Sequence, residues 1–289
     1  MKWINGNDDE SNYEDRRGKG ARRGVAIGGI GTIIALALYL FTGQDFSPIV
    51  NALNGGGNTQ QTNEVTDPSR AKENEDLKVF SLRVFNSAND VWSKIFEDEL
   101  QQQYSKPIFV TFTDATTSEC GGASSASGPF YCPGDEKVYI DLAFFHELAN
   151  RFHAPGELAM AYVISHEVGH HVQKLLGITD KMNQLRSQLS EEEYNEYSVK
   201  LELQADFFAG IWANYAQKMN IIQLEDGDIE SAIGAANAVG DDTIQKEAQG
   251  YVVPDSFTHG TSEQRMRWFM KGFKTGDIHQ GDTFQAKTL

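Results

Sequence analysis

Apolar residues follow three different rhythms along this chain, and each rhythm predicts a different element. Residues 25–41 (VAIGGIGTIIALALYLF) carry no charge, and at about 1.5 Å per residue such a run is near the shortest that crosses the hydrocarbon core of a bilayer. Over residues 76–104, Leu77, Phe80, Val84, Phe85, Ala88, Val91, Trp92, Ile95, Phe96 and Leu100 recur at steps of three and four, which predicts an amphipathic helix. Residues 108–113 (IFVTFT) and 137–141 (KVYID) are instead β-branched and aromatic, the composition of two paired strands. A helix follows over 142–152, and Pro155 with Gly156 marks the start of another that runs to Gly177. Thr179 and Ser190 are the expected N-caps of the next two.

These elements predict an α+β protein, mainly helical with a small antiparallel sheet, preceded by one transmembrane helix. The expected divisions are a cytoplasmic tail over 1–23, a membrane signal anchor over 24–41, a linker over 42–75 and one folded domain over 76–289. The linker is rich in Gly, Asn, Thr and Gln and holds too few large apolar residues to fold alone. Lys2, Arg16, Arg17, Lys19, Arg22 and Arg23 precede the apolar run, and no further Lys or Arg occurs until Arg70. That bias predicts a cytoplasmic N-terminus in a single-pass protein of the bacterial inner membrane, its main domain periplasmic or extracellular. The long basic region and the lack of an Ala-x-Ala site favour a retained anchor over a cleaved signal peptide.

Charge narrows the partners. The net charge is −16, and removing the six basic and five acidic residues of 1–23 from totals of 25 and 41 leaves 19 basic against 36 acidic. Such a body repels phosphate backbones, so nucleic acid is not an expected partner. Cys120 and Cys132, the two cysteines, flank a Gly/Ser-rich stretch and would pair as a disulfide in an oxidising compartment; two separate buried thiols are the alternative.

The chemistry is concentrated in His166-Glu167-Val168-Gly169-His170, set in a nearly uncharged run from Ala159 to Val172. At 3.6 residues per turn, His166 and His170 share one helical face and can converge on one Zn2+, while Glu167 is rotated by about 100° and reaches a water instead. Gly169 weakens the helix interior, which suggests that another backbone passes close. His171 points away from the ligand face and is expected to be packed or hydrogen-bonded, and His146 with Glu147 lacks a convergent spacing. A third zinc ligand is needed, and Glu202 is the best candidate. Four residues on, Asp206 shares its face and is placed to accept the spare ring N–H of a ligand histidine. Near the C-terminus His259 precedes a helix carrying Arg265. Its imidazole either donates to the oxyanion of a scissile carbonyl or orders the turn ahead of a helix capped by Thr261 or Ser262.

These residues resemble the bacterial neutral zinc metallopeptidases, membrane-anchored proteins with a Gly-rich N-terminal span. The likeness is carried by Glu14-Asp15-Arg16-Arg17-Gly18, Cys120-Gly121-Gly122, Gly128-Pro129-Phe130-Tyr131-Cys132-Pro133, Tyr139-Ile140-Asp141, the His166 helix, Glu202-Leu203-Gln204-Ala205-Asp206 and His259-Gly260-Thr261-Ser262. The order His-Glu-x-x-His, Glu-x-x-x-Asp, then a later His and Arg is also similar to the membrane gluzincins that include the prenyl-protein and heat-shock proteases. That likeness implies active-site places for His259 and Arg265. Those gluzincins have several spans, so their substrates do not carry over. The resemblance implies a zincin-like domain acting on peptides or proteins, and by analogy the strand near Tyr139 accepts substrate as an added strand. A zinc-containing binding or assembly module and a cell-wall amide hydrolase would use the same metal site.

Overall fold

The computed structural model describes residues 1–18 and 68–289. From the N-terminus come two short strands, β1 (Lys2–Trp3) and β2 (Tyr13–Asp15), and then the long helix α1 (Pro68–Asp98). α1 begins earlier than the periodicity predicts, at a proline, whose missing N–H costs nothing at a helix start. It also stops earlier, because Gln101 takes a left-handed backbone (φ 53°) and turns the chain back, so that Tyr104 packs edge-on against Phe96. Its apolar face buries Phe85, Ala88, Val91, Trp92, Ile95 and Phe96 completely or nearly so. Each large side chain contributes roughly 1.5–3 kcal/mol by leaving water.

Next come β3 (Ile108–Phe112), the hairpin β4 (Ala115–Ser118) and β5 (Gly121–Ser124), then β6 (Phe130–Cys132) and β7 (Lys137–Asp141). The two strands read from composition do pair, but in parallel, Ile108 opposite Lys137 and Phe112 opposite Asp141. The sheet is therefore mixed, in the order β2-β3-β7-β6, and not the expected antiparallel one. The reason is the length of the intervening chain. It runs out through the hairpin and returns as β6, which takes the antiparallel place beside β7 and leaves β3 to lie parallel to it. The disulfide Cys120–Cys132 ties the hairpin turn to the end of β6.

The helical half comprises α2 (Phe144–Asn150), α3 (Glu157–Leu175), α4 (Ile178–Arg186), α5 (Glu191–Lys218), α6 (Asp228–Ala238), α7 (Asp241–Gln249) and α8 (Ser262–Thr275), with β8 (Ile222–Gln223) between α5 and α6. Ser190 caps α5 as expected, in a capping box with Glu193. Thr179 is not a cap: Gly177 holds that position of α4, in a left-handed conformation, and Thr179 lies inside the helix. α3 is buried along most of its length, from Leu158 to Gln173, which explains its uncharged sequence. It crosses α5 closely at Gly169, where a Cβ would lie 3.1 Å from the Ala205 carbonyl oxygen. A second close crossing joins α5 to α8, where a Cβ on Gly272 would overlap the Phe207 carbonyl oxygen.

The N-terminal residues overturn one expectation. β1 pairs antiparallel with β8, β2 pairs in parallel with β3, and the Met1 ammonium lies 2.8 Å from Asp228 Oδ1. Residues 1–18 are thus part of the folded body, and a tail on the opposite face of a membrane from that body is incompatible with this pairing. Arg17 donates to the Asn74 carbonyl at 3.2 Å, so the chain on either side of residues 19–67 meets at one place. The predicted anchor over 24–41 and most of the predicted linker lie outside the described residues, and among the described residues no helix is long and apolar enough to cross a membrane.

Candidate metal centre

α3 and α5 run side by side because Gly169 and Ala205 leave room for contact, and this brings Glu202 to the pair of imidazoles one turn apart on α3. His166 Nε2 lies 3.1 Å from Glu202 Oε2, and His170 Nε2 lies 3.5 Å from Glu202 Oε1. These three donors all fall within 4.8 Å of one another. A tetrahedral zinc with bonds of about 2.0–2.2 Å separates its ligand atoms by about 3.4 Å, so the spacing fits.

The hydrogen bonds behind the ligands decide which nitrogens face the ion. His166 Nδ1 donates to Asp206 Oδ1 at 2.8 Å, which leaves the lone pair on Nε2. Asp206 is wholly buried, and three further contacts hold it. Arg265 Nε donates to Oδ2 at 2.9 Å, Arg265 Nη2 to Oδ1 at 3.0 Å, and the Tyr162 hydroxyl to Oδ1 at 2.5 Å. Burial alone would raise its pKa, but Arg265 and His166 hold it down to about 2. Behind His170, Nδ1 lies 2.8 Å from Gln173 Oε1, which leaves its Nε2 lone pair facing the same point. Two imidazole lone pairs and a carboxylate aimed at one another repel unless a cation lies between them. The titration reflects this. Burial lowers the pKa of His166, yet Asp206 and Glu202 together push it up to about 10, while His170 and His166 hold Glu202 well below the usual carboxylate range against its burial. Glu167, Glu202 and Asp206 offer three formal negative charges against one guanidinium, Arg265, and the excess of two matches a divalent ion. The chain's own donors therefore fit zinc, and protons compete for the place.

Glu167 is 8% exposed and opens with both histidines onto a cleft of about 600 Å³. Phe130, Phe144, Phe152 and Val163 form apolar walls, and His259 lies on the opposite side from β6 in sequence but lines the same space. The His259 turn is ordered by Asp241, a fully buried residue at the start of α7. Its Oδ2 accepts the backbone N–H of Thr258, His259 and Gly260 at 2.8, 2.6 and 3.0 Å, and its Oδ1 faces His259 Nδ1 at 3.2 Å. Thr261 caps α8, so the imidazole is not needed to order the turn, and its side chain is 45% exposed. Burial lowers the pKa of His259, but the Asp241 hydrogen bond and the Glu202 charge outweigh it and raise the value overall. Arg265 is 4% exposed, and its third donor goes to the Val239 carbonyl at 3.0 Å. It acts by holding Asp206.

Two smaller expectations hold: His171 is packed and hydrogen-bonded, and His146 with Glu147 faces solvent. His171 is buried and bridges elements, donating from Nε2 to the Ser105 carbonyl at 2.7 Å and accepting at Nδ1 from the Tyr131 hydroxyl at 2.9 Å. His146 and Glu147 are exposed on α2, with Glu147 at the rim of the cleft. The strand carrying Tyr139 cannot take up a substrate strand, because β7 is paired on both sides, with β3 and β6. β6 is the strand of this sheet that borders the cleft, through Phe130 and Tyr131, and within the sheet it pairs with β7 on one side alone.

Sequence reasoning missed Tyr162, Gln173 and Asp241. The first two were findable, since Tyr162 lies four residues before His166 and Gln173 three after His170, each on the face of the ligand it touches. Asp241 had no local signal, lying 18 positions before His259 and brought to it only by the packing of α7 against the loop.

Comparison with known proteins agrees with this chemistry. The profile of a family described as "Putative neutral zinc metallopeptidase" matches residues 1–284. The uncharacterized protein YpfJ of Escherichia coli K12 is 41% identical over 98% of this chain and 99% of its own length. The uncharacterized protein Rv2575 of Mycobacterium tuberculosis H37Rv is 40% identical over 71% of this chain and 69% of its own length. No solved structure is significantly similar. With a match that takes in the strands of the N-terminus, both ligand helices and the His259 loop alike, the chain belongs to that zinc metallopeptidase family.

Proposed function

We propose that this protein is a zinc-dependent peptidase that hydrolyses peptide bonds in the cleft between β6 and the His259 loop. The observation that supports this reading most is the convergence of His166, His170 and Glu202 with Glu167 opening onto the same cleft. Zinc held by two imidazoles and a carboxylate supplies a Lewis acid and a water acidified toward neutral pH. Glu167 accepts a proton from the attacking water at its carboxylate and returns it to the leaving amine nitrogen. His259, with Nδ1 held by Asp241, donates from Nε2 to the oxygen that gains charge on the scissile carbonyl. β6 orients the substrate backbone by pairing with it as an added strand. The formed disulfide favours an oxidising home for the body, and therefore also for residues 1–18 that pair with it. On sequence grounds the uncharged run over 25–41 remains the proposed contact with a lipid bilayer, with both of its flanks on one side.

The test is metal content and peptide turnover of the purified full chain. Glu167→Ala abolishes cleavage of a peptide library while zinc stays near one per chain, whereas Glu202→Ala loses the zinc. Full turnover by Glu167→Ala would remove that carboxylate as the base. Zinc bound by the wild type with no cleavage of any peptide, but with release of muropeptides from cell-wall material, would transfer the chemistry to a cell-wall amide.

A further inference from the structure

The two ligand histidines are oriented by different chemistry, and the difference reaches into a part of the chain that is remote from the cleft. His166 leans on a carboxylate that Arg265 compensates. His170 leans on a neutral amide, Gln173, which is 1% exposed. A neutral amide can present either end to a ring nitrogen, so something must choose. Two backbone carbonyls, which only accept, make the choice. The Leu201 carbonyl receives Gln173 Nε2 at 2.7 Å, and the Gly281 carbonyl receives Gln204 Nε2 at 2.9 Å. With its nitrogen committed, Gln204 turns its oxygen to Gln173 Nε2 at 3.1 Å. Gln173 in turn has only its oxygen left for His170 Nδ1. That oxygen cannot donate, so Nδ1 carries the ring proton and Nε2 keeps the lone pair toward Glu202.

The far end of this chain is itself fixed. Thr283 is fully buried, and its hydroxyl donates to the Lys200 carbonyl at 2.6 Å, which pins the segment after α8 onto α5 two residues before Glu202. We infer that Gln173 and Gln204 form an amide relay through which the C-terminal segment around Gly281 sets the tautomer and orientation of His170, and so tunes the affinity of the metal site. Gln173 and Gln204 are positioning residues, since neither reaches the cleft. The inference rests on the metal site proposed above.

Zinc affinity of the full chain, measured by competition with a chromophoric chelator at fixed pH, separates the relay from that site. Gln173→Leu weakens zinc binding by about 10–100-fold, the usual range for loss of a ligand's supporting hydrogen bond. Gln204→Leu weakens it by a smaller factor, because Gln173 keeps the Leu201 carbonyl. Ser87→Ala, which removes a buried hydrogen bond from Trp212 elsewhere on α5, leaves affinity within about twofold. In the zinc-loaded wild type, long-range 15N–1H spectra show His170 protonated at Nδ1. Tight zinc binding by the wild type with an unchanged Gln173→Leu affinity overturns the relay while sparing the metal site. The opposite tautomer overturns it too, even where a variant fails to fold. A wild type that binds no zinc removes the metal site itself.

Discussion

The helical half of the molecule and its sheet hold charge in opposite ways. Between α3, α5 and α8 the charges are out of water, and the deepest of them is matched by fixed partners: Asp206 is fully buried and takes donors from Tyr162, His166 and Arg265. Along the sheet the ion pairs lie at the surface. Glu14 meets Arg16 and Lys137 with its carboxylate 36% exposed, and Asp15 meets Arg17 with its own 39% exposed. The interior pairs are costly to desolvate and strongly coupled, so they fix geometry within fractions of an ångström; the surface pairs are screened and hold a strand in place with little energy. A metal centre needs the first kind. A bordering strand that must admit substrate can be held by the second.

The sharpest break in this comparison is Asp206→Ala. It strands the Arg265 guanidinium in the interior and removes the acceptor of His166 at the same time. Unfolding of the zinc-free variant should cost about 3–5 kcal/mol less than that of the wild type, and zinc should no longer bind near stoichiometrically. A loss under 1 kcal/mol by chemical denaturation would mean that the interior pairs are no stronger than those on the sheet.

The His259 loop lies between the extremes, with a buried carboxylate at its base and an exposed imidazole at its tip. His259→Ala should lower kcat by about 10²–10³-fold with zinc content and stability unchanged. Asp241→Asn keeps an acceptor for the loop amides but loses the charge that helps raise the pKa of the imidazole. It should lower kcat by about tenfold, one hydrogen bond's worth, and most at the alkaline end of the profile, since the raised His259 pKa falls back. Equal kcat losses for the two variants at every pH would show that Asp241 only folds the loop.

The same contrast governs what was legible in the sequence. On the helical side most partners are three or four residues apart, so His166, Glu167, His170, Glu202 and Asp206 could all be placed by counting turns. Gly169 likewise announced a close helix crossing that the structure realises at Ala205. Gly210 on α5 packs instead against α8, where its Cβ would meet the Phe269 carbonyl oxygen; periodicity assigns a face without saying which neighbour covers it. On the sheet side, partners are set by topology. Nothing within β3 or β7 specifies that they run parallel, or that β2 comes from residue 13 to lie beside residue 109. The motif Glu14-Asp15-Arg16-Arg17 reads as a basic flank of a membrane segment. In the fold its charges pair with one another and with Lys137, and Arg16 lies over the Tyr139 ring.

That docking of the N-terminal strand gives the smallest effect and the most specific one. Hydrogen bonds from Arg17 hold the Asp15 carboxylate down to about 2, against the opposing effect of burial. Because its folded pKa lies below the unfolded value of 3.8, Asp15 stabilises the fold fully above pH of about 4, and the benefit disappears as the pH drops through about 2. Solvent screening of so exposed a pair keeps the contribution to about 1 kcal/mol or less. The difference in unfolding free energy between wild type and Asp15→Asn, followed by the fluorescence of Trp3 where it packs on Phe80, should therefore shrink between pH 5 and pH 2 on the order of that whole amount. A difference that stays constant over this window would mean that the Asp15–Arg17 pair does not contribute to holding β2 on the sheet. The parallel backbone bonds to β3 would then secure residues 1–18 unaided.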